Sequence, residues 1–92
     1  MLKIDMKEIV EKAIKEYNMY RVPEAEATLV SIGDHEFKVM FRVFCLTCGL
    51  YDYFEDLKYV LEDLGVKARI RELEETSDGF IVTFEVEGEG RT

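Results

Sequence analysis

The stretch FKVMFRV, from Phe37 to Val43, decides the fold together with its counterpart FIVTFEV, from Phe80 to Val86. Both follow the pattern F-x-V-x-F-x-V. Successive side chains of a strand point to opposite faces, so a period of two predicts strands with one buried and one open face. The large apolar residues on the buried side favour a central position for both strands in one sheet.

Helix-capping residues and turn glycines divide the rest of the chain into further elements. Asp5 with Glu8, and Asp52 with Glu55, form capping boxes that begin two amphipathic helices. Gly65 stands where a helix C′ glycine belongs, and Gly33 is expected to take a positive φ in a tight hairpin turn. We predict helix 1 over Asp5–Asn18, strand 1 over Ala25–Ile32, strand 2 over His35–Cys45, helix 2 from Asp52 to Leu64, strand 3 over Val66–Leu73, a polar turn over 74–79 and strand 4 over Phe80–Val86.

The order αββαββ indicates an internal repeat within one domain that covers residues 1–92. Residues 5–46 and 52–87 form the two similar halves, and 88–92 are expected to be a frayed tail. Two αββ halves related by a pseudo-twofold axis place strands 2 and 4 together in the centre. We therefore predict an α+β two-layer sandwich with strand order 1-2-4-3 and both helices on one face, a permutation of the ferredoxin-like plan. The alternative is a simple 1-2-3-4 antiparallel sheet.

Alternation along the strands also predicts which side chains occupy the sheet face without helices. Five basic residues gather there beside apolar ones, which suggests an interaction surface. The predicted interaction face comprises Lys38, Met40, Arg42, Phe44, Lys67, Arg69, Arg71 and Ile81, with Leu73 on strand 3 and Thr28, Val30 and Ile32 on strand 1 as further outward positions. Three uses remain open: a solvated face whose arginines pair with Glu85 and Glu87, a homodimer or protein-partner face, and a surface for single-stranded nucleic acid.

The pair Cys45 and Cys48 forms a C-x-x-C at the junction of strand 2 and helix 2. This junction resembles that of heavy-metal-associated domains, which implies Cu(I) held by two thiolates. Dithiol redox chemistry of the thioredoxin kind, a zinc ion shared across a dimer and a purely structural role are the other interpretations. We keep Cys45 and Cys48 as a metal or redox candidate, with Zn or Cu(I) as the cofactor in that case.

Other polar residues do not form a recognisable catalytic set. His35 lies in a predicted turn with no companion nucleophile, and the acidic residues of helix 2 lack the spacing of a calcium loop. Tyr59 falls on the charged side of helix 2 and, with Tyr51, is expected to mark a contact surface. We therefore expect a protein that is not an enzyme.

Composition narrows the class of protein. The net charge of −8, from 20 acidic and 12 basic residues, argues against a general binder of polyanions. The chain has no Gln and one Asn, Asn18, which is typical of thermophile proteins. No secretion signal and no membrane-spanning run are recognisable, so a cytoplasmic protein is expected. The sequence predicts a small interaction module that self-associates through the open sheet face, with a C-x-x-C thiol protein as the alternative.

Overall fold

Two helices lie against one face of a four-stranded antiparallel sheet in a computed structural model that describes residues 6–21, 25–43 and 50–87. The elements are α1 (Met6–Arg21), β1 (Ala25–Ile32), β2 (Glu36–Val43), α2 (Leu50–Asp63), β3 (Ala68–Glu75) and β4 (Phe80–Val86). The predicted αββαββ order is therefore confirmed, and the bounds of strands 1 and 4 agree residue for residue.

The sheet has the order β1-β2-β4-β3, which confirms the predicted topology. The two F-x-V-x-F-x-V strands are the central pair, and Phe37 lies opposite Phe84, as Phe41 lies opposite Phe80. The alternative 1-2-3-4 order is wrong, because β4 and not β3 pairs with β2.

The core consists of apolar side chains from both helices and from the inward face of the sheet. Phe41 is fully buried and packs with ring-centroid distances of 5.0 Å to Phe54 and 5.6 Å to Tyr17. Phe37 stacks on Phe84 at 5.3 Å. Burial of one such side chain contributes about 1.5–3 kcal/mol, so this aromatic cluster holds both helices on one side of the sheet.

The C-terminus of α2 confirms the sequence prediction for Gly65. The Gly65 N–H donates to the Glu62 carbonyl at 3.0 Å, and the Val66 N–H donates to the Leu61 carbonyl at 2.9 Å. This pair of bonds is the Schellman arrangement, and it requires a left-handed residue at C′. Gly65 supplies it with φ = 93°.

Gly33, in contrast, does not have the positive φ that the hairpin prediction assigned to it. The β1–β2 connection is longer than expected, since β2 begins at Glu36 and not at His35. The Gly33 N–H closes this loop by donating to the Glu36 carbonyl at 2.7 Å. A longer loop closes without the mirror-image turn that requires positive φ.

Irregular pairing in both outer strands moves two apolar side chains away from their predicted face. The register shifts between Leu29 and Ser31 in β1, and between Ile70 and Glu72 in β3. An extra residue in one strand reverses the alternation beyond it. Ile32 therefore packs against the core, and Leu73 lies opposite the buried Val82, so their predicted places on the open face are wrong.

Some element ends also differ from the predictions. Helix α1 continues to Arg21, beyond Asn18, and α2 already includes Leu50, ahead of Asp52. The predicted start of helix 1, Asp5, lies outside the described residues. Strand β3 runs over Ala68–Glu75, so it starts later than Val66 and includes two residues of the predicted polar turn. Within the described ranges, no helix has the length and apolar character needed to cross a membrane.

Candidate functional site

Lys38, Met40 and Arg42 of β2 lie on the open face of the sheet in regular alternation. Phe37, Val39 and Phe41 are buried beneath, whereas Lys38 and Arg42 are exposed. Met40 lies directly opposite Ile81 of β4, and both side chains are half-buried. The centre of the open face therefore carries a small apolar pair.

Arg69 and Glu85 form an ion pair across β3 and β4. The two residues lie opposite each other, and both Arg69 Nη2 and Nε donate to Glu85 Oε1, at 2.9 and 3.2 Å. This hydrogen bond lowers the pKa of the Glu85 carboxyl and raises that of the Arg69 guanidinium. Since the pair is exposed, it orients the side chains more than it stabilises the fold.

Arg71 makes a longer-range contact over the same surface. Its Nη1 donates to Glu36 Oε1 at 2.5 Å, although β4 lies between their two strands. Thr83 of β4, on the open side of the sheet, is only 4% exposed. The interpretation as a solvated face thus predicts the observed partner of Arg69, which is Glu85. Arg71, in contrast, pairs with Glu36 and not with Glu85 or Glu87.

The remaining predicted site residues fall at or beyond the edge of this surface. Lys67 precedes β3 and is exposed, and its carbonyl accepts from the Glu87 N–H at 2.8 Å. Phe44, Cys45 and Cys48 lie outside the described residues. In the described ranges, no group of three His, Cys, Asp or Glu side chains is placed to hold a metal ion.

A second candidate site lies on the opposite layer, in a groove between the two helices that sequence reasoning did not identify. We call it the tyrosine groove. Its volume is about 390 Å³, within the range of small-molecule sites. It is lined by Tyr17, Tyr20 and Arg21 from the end of α1 and by Asp56, Tyr59, Val60 and Asp63 from α2.

Arg21, which lines the tyrosine groove, makes an ion pair and a cation–π contact. Arg21 donates from Nε to Asp56 Oδ2 at 2.8 Å, and its Nη2 contacts the same oxygen. The guanidinium carbon lies 4.9 Å from the centroid of the Tyr53 ring. An aromatic ring attracts a cation held over its face, so Tyr53 and Asp56 together orient Arg21.

Two tyrosine hydroxyls are buried beside this ion pair without a hydrogen-bond partner among the described residues. Tyr17 and Tyr53 are each 1% exposed, and neither Oη is satisfied. A buried polar atom without a partner costs about 1–3 kcal/mol. Burial, partly offset by the nearby Arg21 charge, raises the pKa of the Tyr17 hydroxyl well above its ordinary value. The hydroxyl therefore remains neutral over the physiological pH range.

Only part of the tyrosine groove left a signal in the sequence. Among the residues that line the groove, the sequence predicts a contact role for Tyr59 alone. Arg21 and Asp56 are 35 residues apart, and no local pattern links them. Tyr20 and Arg21 lie beyond the predicted helix end at Asn18, so their position beside α2 was not expected.

Comparison with protein-family models, with curated proteins and with solved structures found no match to this chain.

Proposed function

We propose that the protein is a small binding and interaction module that associates with a second copy of itself through the open sheet face. The observation that carries the proposal is the half-buried pair of Met40 and Ile81 in the middle of a sheet surface that neither α1 nor α2, the two helices in the described part of the chain, covers. Apolar side chains surrounded by charges are typical of surfaces that associate.

The distribution of charge on this face supports a second copy as the occupant. Lys38 on β2 and Glu72 on β3 both lie opposite Thr83, so they stand at the same height on either side of β4. Glu36 and Arg69 are likewise both opposite Glu85. A twofold axis parallel to β4 would place each β2 over the partner copy's β3. Lys38 and Arg69 would then each face a carboxylate of the other copy, with Ile81 of the two copies in contact.

Nucleic acid has less support as the occupant. Single-stranded nucleic acid needs stacking aromatics and a cationic track. On this face Glu36, Glu72 and Glu85 alternate with the basic residues. The one outward aromatic that the sequence predicted there, Phe44, lies outside the described residues.

Sedimentation equilibrium tests self-association. We expect a reversible dimer, and we expect Ile81→Glu to raise its dissociation constant at least about tenfold, since a buried unpaired charge at an interface costs more than 1.4 kcal/mol. Met19→Glu is the matched control, because it adds the same charge to an exposed position on α1. A wild-type monomer at about 1 mM protein, or equal weakening by both variants, would contradict the proposal.

The alternative function rests on Cys45 and Cys48 and stays a prediction. A soft-metal site predicts that native mass spectrometry of the protein supplied with Zn²⁺ or Cu(I) detects a bound ion. A redox pair predicts that thiol titration finds two reactive thiols after reduction and none after oxidation. No bound metal together with two inert thiols would exclude both forms of this alternative.

We also infer that the chain arose from a duplicated αββ unit. The two copies of F-x-V-x-F-x-V pair in the centre of the sheet, and Val39 lies opposite Val82 at the midpoint. An axis through this point exchanges the two strands and brings each hairpin onto the other, as a tandem duplication requires.

A further inference from the structure

The tyrosine groove combines a cavity, exposed aromatic side chains and a carboxylate that pairs with no described residue. It lies on the helical layer, away from the sheet face proposed for self-association. Tyr20 and Tyr59 line this cavity and are 81% and 57% exposed. Both side chains are therefore accessible to a ligand.

The charges around the groove favour a positively charged occupant. The Arg21 charge is compensated by Asp56 through a direct ion pair. Asp63 also lines the groove, is exposed and forms no ion pair with any described residue. The whole chain carries −8, so the surrounding field attracts cations as well.

The groove already holds one cation by the chemistry that a ligand would use. Arg21 lies over the Tyr53 ring at 4.9 Å and contacts a carboxylate at the same time. Tyr59 and Asp63, which both belong to α2 and both line the groove, offer the same combination of an aromatic ring and a carboxylate.

A buried tyrosine hydroxyl belongs to one of the side chains that line the groove. Tyr17, which lines the groove, is 1% exposed and its hydroxyl has no partner within the described ranges. A neighbouring apolar side chain, Val60, completes the lining. Native proteins satisfy most buried polar atoms, and an unsatisfied one beside a cavity is typical of a ligand site.

We propose that the tyrosine groove binds an organic cation, a protonated amine or quaternary ammonium group, with Tyr59 and Tyr20 contacting the cation through their rings and Asp63 supplying the counter-charge. The cation can belong to a free small molecule or to a lysine side chain of a peptide. Both sources present the same chemistry to the groove.

Titration of the ¹⁵N-labelled protein, followed by NMR, tests the proposal. The probes are choline, butylammonium and a short peptide with blocked ends and one lysine. Each is compared with a neutral counterpart: choline with the isostere that has carbon in place of nitrogen, butylammonium with butanol, and the lysine peptide with its norleucine analogue. We expect saturable shifts at the end of α1 and in the second half of α2, with at least about fivefold tighter binding of the cation. The tighter-binding arm, small cation or peptide, identifies the source.

Matched variants locate the interaction. Asp63→Asn is expected to weaken binding of the cations about threefold or more, whereas Glu62→Gln, the same charge change outside the groove, leaves it unchanged. Tyr59→Leu is expected to weaken it similarly, and Tyr59→Phe, which keeps the ring, to retain most of it. Far-UV circular dichroism confirms that each variant is folded.

Four results would overturn the proposal. A cation and its neutral counterpart could bind with equal affinity, or Asp63→Asn and Glu62→Gln could weaken binding equally. Acetate could bind more tightly than any cation, or none of the three cations could give saturable shifts. The oligomeric state of the same samples is measured in parallel, so failure of this site remains distinct from failure of the sheet-face dimer.

Discussion

The side-chain amide of Asn18 pairs with the backbone of Ala27 as a neighbouring strand would. Its Nδ2 donates to the Ala27 carbonyl at 3.0 Å, and its Oδ1 accepts from the Ala27 N–H at 2.8 Å. Strand β1 is an edge of the sheet, where backbone groups on the outer side have no strand to pair with. Asn18 is the chain's one asparagine, and this contact attaches the last turn of α1 to β1.

We therefore expect Asn18→Ala to lower the free energy of unfolding by about 1–3 kcal/mol, because it leaves two part-buried backbone groups without partners. Met19→Ala, next to it and 78% exposed, should change the free energy by less than about 0.5 kcal/mol. Urea unfolding followed by circular dichroism measures both. Equal effects would show that helix propensity, and not the contact with Ala27, accounts for the loss.

The turn between β3 and β4 depends on the absence of a side chain at Gly79. A Cβ atom there would lie 2.0 Å from the backbone oxygen of Phe41. Cβ atoms in real structures essentially never lie so close to another atom that is not bonded to them. Thr76 fixes the turn, since its Oγ1 accepts from the Gly79 N–H at 3.1 Å and its N–H donates to the Gly79 carbonyl at 2.7 Å. The glycine lets the turn lie directly on β2.

Gly79→Ala should accordingly destabilise the protein by at least about 2 kcal/mol, because backbone must move to admit the methyl group. Gly33→Ala is the matched control, since its nearest contact would be an ordinary 3.6 Å. That variant should be neutral, or more stable by up to about 1 kcal/mol through the lower entropy of the unfolded chain. Thermal unfolding of the two variants side by side checks the difference. Similar midpoints for both would contradict the steric explanation.

The fold could be read from local patterns wherever one pattern determines one element. The alternating Phe and Val residues predicted the central strands, and Gly65 predicted the end of α2. Ile32 and Leu73 were misplaced because the irregular pairing that reverses their direction depends on neighbouring strands. The tyrosine groove was missed for a related reason: Arg21 and Asp56 meet only through the packing of two helices.

The pair Arg69–Glu85 predicts a specific dependence on acid. The arginine hydrogen bond lowers the pKa of Glu85 in the folded state, so the carboxylate form favours folding. The contribution is present above the ordinary carboxyl value of 4.5 and is lost as pH falls through the lower folded value. A double-mutant cycle with Arg69→Met and Glu85→Gln should give a favourable coupling at pH 7 that disappears in strong acid and weakens in high salt. A coupling independent of pH would mean that the side chains interact through packing and not through charge.

Tyr17 predicts a corresponding dependence at high pH. Burial raises the pKa of its hydroxyl above the ordinary value of 10.0, so the folded protein favours the neutral phenol and the unfolded chain releases its proton first. The contribution of Tyr17 to the free energy of unfolding is therefore fully present below pH 10 and is lost as the pH rises above it. Tyr17→Phe removes this loss. It also removes a buried hydroxyl that has no partner among the described residues, so the variant should be at least as stable as wild type at neutral pH and more resistant to alkaline unfolding. Tyr20→Phe, at a position 81% exposed, should follow the wild-type pH curve. Urea midpoints measured from pH 7 to about pH 11 decide the matter, and a Tyr17→Phe curve parallel to wild type would show that other groups cause the alkaline loss.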